Sequence, residues 1–168
     1  MKKILNLIFI IFIFLLFKQK YNTIDIEVGF SPGNSAENII LNIINNSKKT
    51  IDIAAYSFTN KKIAMLLVKA HKKGIKIRVL VDKKSNIGKY TVVKYLKKHN
   101  IKVKLNNKYL IMHNKFIIID NNSVETGSFN YTKNAVSKNA ENIILIKNIT
   151  NIVNIYTKEF NILWKESI

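Results

Sequence analysis

The chain has 168 residues, 28 Lys and Arg against 10 Asp and Glu, a formal net charge of +18, and no Cys. That length allows one domain with a real core, the 48% apolar content excludes a disordered chain, and the lack of Cys excludes disulfides, thiol nucleophiles and Cys-based metal centres. The basic excess predicts polyanionic partners: nucleic acid, an anionic membrane surface, or both.

Lys2 and Lys3 precede an apolar run over residues 4–17, broken only by Asn6 and closed by Lys18 and Lys20. A short basic region followed by about 7–15 apolar residues has the form of a secretory signal. As a helix the run reaches roughly 21 Å, short of the roughly 30 Å of a hydrocarbon core. No small-x-small cleavage site follows, so cleaved signal and retained anchor both stand. Residues 1–20 are expected to be a signal peptide or anchor helix, and residues 21–168 the working domain. The protein is expected to be exported: secreted, periplasmic, or held at a membrane through residues 4–17. Loss of residues 1–20 removes four Lys and leaves +14 on the rest.

Residues 24–30 alternate apolar and polar, as a strand does. Ser31-Pro32-Gly33-Asn34 is a turn, and Ser35 is expected to cap a helix over residues 36–46. Residues 50–56 predict a second strand. Asn60 is expected to cap a helix to about residue 73, which Gly74 ends. Residues 75–81 are a nearly continuous β-branched run, as in a strand buried on both faces. A loop, a helix to about residue 99 and a short strand over residues 101–105 follow. Residues 110–120 are apolar and β-rich, with a turn at Asn121-Asn122 and a return strand from Val124. Residues 141–146 predict a further strand, and Thr150 is expected to cap a last helix to about residue 164. Strands and helices alternating in this way predict one α/β domain, with a mixed sheet flanked by helices on both faces.

The chemistry lies between Met112 and Asn142. His71 and His99 sit at Lys-rich helix ends, where a cationic-leaning side chain is ordinary. His113 opens the pattern His113-x-Lys115-x4-Asp120. On a strand, His113 and Lys115 share a face, about 6–7 Å apart. An imidazole beside an ammonium in an apolar strand is costly without a purpose, and a phosphate supplies one. Downstream, Gly127-Ser128-Phe129-Asn130 offers a hydroxyl and an amide two residues apart, with Gly127 allowing close backbone approach. Glu141 brings a carboxylate suited to orienting an imidazole. Asp120, seven residues from His113, falls on the opposite strand face and is read as structural.

Taken together, His113-x-Lys115-x4-Asp120, Gly127-Ser128-x-Asn130 and Glu141 resemble the signature of the phospholipase D superfamily. The nearest likeness is to its short, single-motif bacterial members, the Nuc-type endonucleases and small exported phospholipase D-like proteins. Phe30-Ser31-Pro32, the segment from Ala54 to Thr59, and Val79-Leu80-Val81-Asp82 are similar to that subfamily too. The resemblance implies a phosphodiesterase that uses neither metal nor cofactor. In it His113 attacks phosphorus, Lys115, Ser128 and Asn130 hold the phosphoryl oxygens, and Glu141 orients His113. The mechanism needs two histidines per site and this chain carries one motif, so a homodimer sharing one site across a two-fold axis is expected. The basic charge makes a nucleic-acid substrate, DNA or RNA, the first expectation. A phospholipid such as phosphatidylcholine is the alternative, and a catalytically silent basic module that binds nucleic acid or membrane is a third.

Overall fold

The computed structural model describes residues 25–168, and the expected signal or anchor segment lies outside them. Seven strands form one sheet: β1 (Asp25–Ser31), β2 (Thr50–Ala55), β3 (Lys76–Asp82), β4 (Lys102–Asn106), β5 (Lys115–Ile119), β6 (Ser123–Gly127) and β7 (Glu141–Lys147). Their spatial order is β1-β7-β6-β5-β2-β3-β4. β2, β3 and β4 run parallel, while the β2–β5, β5–β6, β6–β7 and β7–β1 pairs are antiparallel. The helices are α1 (Ser35–Asn46), α2 (Lys61–Lys72), α3 (Val93–Lys98), α4 (Lys133–Ser137) and α5 (Thr150–Lys165). Among the described residues no helix is long and apolar enough to cross a membrane.

Strand alternation divides the core in two. Ile51, Ile53, Ile77, Val79, Ile117, Ile143 and Leu145 pack with α1, α2 and α3 on one face. Ala54, Leu80, Phe116, Ile118 and Val124 pack on the other against Val153, Phe160 and Leu163 of α5. Arg78 lies over the Phe160 ring on that second face and forks onto Asp52 through two 2.7 Å bonds.

Three local expectations change. Asn60 caps α2 by accepting from the Lys62 and Ile63 N–H groups, but Ser35 does not cap α1. Its hydroxyl instead donates to the Phe30 carbonyl and accepts from the Phe30 N–H, which ties the first helical turn to β1. Thr150 makes no side-chain cap at the start of α5. The short helix α4 was not expected, although Thr132 caps it by accepting from the Ala135 N–H.

Candidate active site

The sheet has two ends, and the residues of interest collect at one. β2 and β3 finish there at Ala55 and Asp82, β6 finishes at Gly127, and β5 and β7 begin there at Lys115 and Glu141. His113, Lys115, Gly127, Ser128, Asn130 and Glu141 therefore converge on a single edge, from different strands. Asp120 is at the opposite end of β5. Its carboxylate accepts the N–H groups of Lys48, Lys49 and Thr50 at 2.7–2.9 Å, locking the turn that leads into β2.

His113 is not inside a strand, as its spacing had suggested. β5 starts at Lys115, opposite Ala55. β2 ends at Ala55 and the chain bends away at Tyr56, so residues 111–114 have no ladder partner. Other contacts hold the imidazole in place. Asp82 accepts the Met112 N–H at 2.9 Å, and the Met112 side chain is buried in the α5-side core. The Tyr56 ring lies 4.5 Å from the imidazole, centroid to centroid. The Lys115 ammonium donates to the His113 carbonyl at 2.6 Å and sits 5.3 Å from the Tyr56 ring centre. His113 itself is exposed.

Lys115 is only 7% exposed. Burial lowers its pKa, and the negative charge of Glu141 opposes that shift. A cation held in this way gains most from a bound anion, which restores the solvation it lost.

Glu141 was expected to hold the far nitrogen of His113, but within the chain it has other partners. Its carboxylate accepts the Ser128 hydroxyl at 2.7 Å and the Asn139 amide at 2.9 Å. β6 separates β7 from β5, a gap of about 10 Å between their backbones. Ser128 in turn accepts the Asn142 N–H and donates its own N–H to the Asn142 carbonyl. A Cβ at Gly127 would collide with the Asn142 carbonyl and Ile143 Cα, so only glycine lets β6 and β7 meet this closely. Asn130 has a buried side-chain oxygen with no partner among the described residues.

Beneath this loop lies a group that the sequence did not single out. Glu125 is 1% exposed and faces Ile117 and Leu145 across its strand pairs. Its carboxylate accepts the Tyr131 hydroxyl at 2.8 Å. Burial pushes its pKa up to about 8, although the Tyr131 hydrogen bond pulls the other way. Glu125 and Tyr131 flank the Gly127–Asn130 turn and buckle it from below, while the Tyr131 carbonyl accepts the Thr59 and Asn60 N–H groups. Tyr56, Asp82 and Glu125 are thus site-shaping residues that the motif did not reveal. Tyr56 and Asp82 fall in segments that resemble the subfamily, but the resemblance gave neither a role.

The family model described as "Cardiolipin synthase, PLD-like domain" matches residues 40–164. The chain belongs to the phospholipase D-like family. The phospholipase D of Rickettsia conorii is 35% identical over 122 residues, 73% of this chain and 61% of that protein. The mitochondrial cardiolipin hydrolase of Xenopus laevis is 31% identical over 120 residues, 71% of this chain and 57% of that one. This phospholipase D-like chain therefore spans about three-fifths of the length of those curated relatives. Nuc of Salmonella typhimurium, a phospholipase D family member of known crystal structure, is 34% identical with a TM-score of 0.84. That match covers 86% of this chain and 97% of Nuc.

Proposed function

We propose that the protein is a metal-independent phosphodiesterase working through a phosphohistidine, with nucleic acid as its substrate. The observation that carries the reading is the convergence of His113, buried Lys115, Ser128 and Asn130 on one sheet edge. In the first step an imidazole nitrogen of His113 forms a bond to phosphorus and the P–O bond to the leaving group breaks. A second histidine gives its proton to the departing oxygen. In the second step that histidine takes a proton from water, the oxygen attacks phosphorus, and the N–P bond breaks to release a phosphomonoester. Lys115, Ser128 and Asn130 hold the non-bridging oxygens as charge builds on them.

The second histidine is the His113 of a second copy. His71 and His99 bond the carbonyls of Ile75 and Tyr95, at the helix ends that lead into β3 and β4, away from this edge. A symmetric dimer supplies the general acid and lets each Glu141 serve the imidazole of the other subunit, since it does not reach its own. Removing such an acid costs roughly 10²–10⁴ in rate.

Charge and aromatic surface support the choice of substrate. Lys83, Lys84, Lys89 and Lys133 are on the loops and helix start around this edge. Tyr90 is 73% exposed there, with the Lys89 ammonium 5.0 Å from its ring centre. Lysines for a phosphate backbone and an open ring for base stacking fit a single strand. A phospholipid substrate is the second reading. It rests on Leu110, 81% exposed at the same edge beside Ile111 and Ile87, and on the names of the curated relatives.

The deciding experiment gives the full chain and its His113→Ala variant, in EDTA at low salt, three substrates: plasmid DNA, single-stranded RNA and phosphatidylcholine vesicles. Cleavage of nucleic acid by the parent alone is expected. Choline release alone would move the reading to a phospholipase D, and no turnover on any of the three would leave the silent basic module.

A further inference from the structure

The end of the sheet opposite His113 has a chemistry of its own. Each helix that leads into a parallel strand turns there, and each turn carries a lysine pair. Lys48 and Lys49 lie between α1 and β2. Lys72 and Lys73 end α2, and Lys76 opens β3. Lys97 and Lys98 end α3, and Lys102 opens β4. All eight are exposed, and none makes an ion pair among the described residues. The acids of this end are already engaged. Asp120 is held by backbone N–H groups, Asp52 by Arg78, and Asp25 and Glu27 by Lys147. A row of three strands, about 5 Å apart, therefore presents uncompensated positive charge in one plane.

Two facts say what this face meets. It lies a strand length, about 20 Å, from His113, so a polyanion lying flat on it is out of reach of the site. The chain also enters the domain here: Asp25 pairs with Lys147, at the same end as Ser123, Thr50 and Lys76. The chain ahead of Asp25, whose sequence carries the apolar run of residues 4–17 with Lys18 and Lys20, therefore joins the domain at this end. We propose that the lysine-bearing end of the sheet docks on an anionic lipid surface and turns the His113 end away from the membrane, toward water. The N-terminal run and the lysine face then act on the same leaflet. The orientation favours a water-borne polyanion over the lipid of the docked membrane as substrate. The test below reads position rather than turnover, so its failure is separate from a failure of the proposed chemistry.

The absence of Cys makes a single introduced thiol a unique label site. The full chain carries a fluorophore at Asn46→Cys, on the lysine end, or at Ile87→Cys, on the His113 end. Each is added to phosphatidylcholine vesicles, with or without about one-third phosphatidylglycerol and with a headgroup nitroxide quencher. Stronger quenching at position 46 in the anionic vesicles than in the uncharged ones, with none at position 87, is expected. Replacing Lys48, Lys49, Lys72 and Lys73 by Gln should weaken the docking on the order of five-fold per lysine, several-hundred-fold in all. High salt should bring the quenching in the parent down to the level seen in uncharged vesicles, without any substitution. Quenching at position 87 would reverse the orientation and overturn the proposal. So would equal quenching at position 46 in uncharged vesicles, or a four-lysine variant that loses oligonucleotide binding while keeping its vesicle quenching.

Discussion

Glu125→Gln isolates one buried acid. In the folded chain the Glu125 carboxyl holds its proton to about pH 8, against an ordinary value of 4.5. The folded state therefore binds more protons than the unfolded state between those limits. The stability this gives is complete below pH 4.5, falls as pH rises, and is gone above pH 8. Each pH unit across the interval costs about 1.4 kcal/mol, so the change from pH 5 to pH 8 is about 4 kcal/mol. Glutamine keeps an oxygen to accept the Tyr131 hydroxyl but has no proton to lose. Urea unfolding of parent and variant at pH 5, 6.5 and 8 reads the difference directly. The parent should be the more sensitive to pH, its advantage over the variant shrinking by about 4 kcal/mol across the series. Parallel curves would mean that Glu125 is ionised throughout, and the account of its environment would be wrong.

Other substitutions separate fold from site. Gly127→Ala forces β6 away from the Asn142 carbonyl and should destabilise by about 3 kcal/mol, read by thermal melting. Asp120→Ala strips three backbone N–H groups of their acceptor and should cost about 3 kcal/mol, with kcat on soluble protein within about two-fold of the parent. Asp82→Asn turns an amide donor toward either the Ser85 or the Met112 N–H. Because that loosens the segment carrying His113, kcat should fall on the order of ten-fold with KM little changed.

Much of the fold was legible because its signals are local. The β-branched run that became β3, the Asn60 cap and the Gly74 stop act through neighbours in sequence. Misreadings came where a distant group claimed a side chain. The Ser35 hydroxyl went to Phe30, across the turn, rather than to its own helix. His113 fell outside β5 because β2 stops at Ala55, a limit set by the partner strand. Nothing local to Glu125 marks it as buried; its register against Ile117 and Leu145 does that. The motif did name the residues that meet at one edge. It did not name Tyr56 and Asp82, which hold His113, because their action depends on loops that come together only in the folded chain.

The central claim is a covalent bond between His113 and phosphorus. The full chain, mixed with a short oligonucleotide in EDTA and quenched in alkali to preserve a phosphoramidate, is digested and its peptides weighed. A nucleotidyl or phosphoryl adduct on His113, absent from His113→Asn, is the result the account predicts. Turnover with no adduct at His113, or with the adduct on another residue, would contradict it.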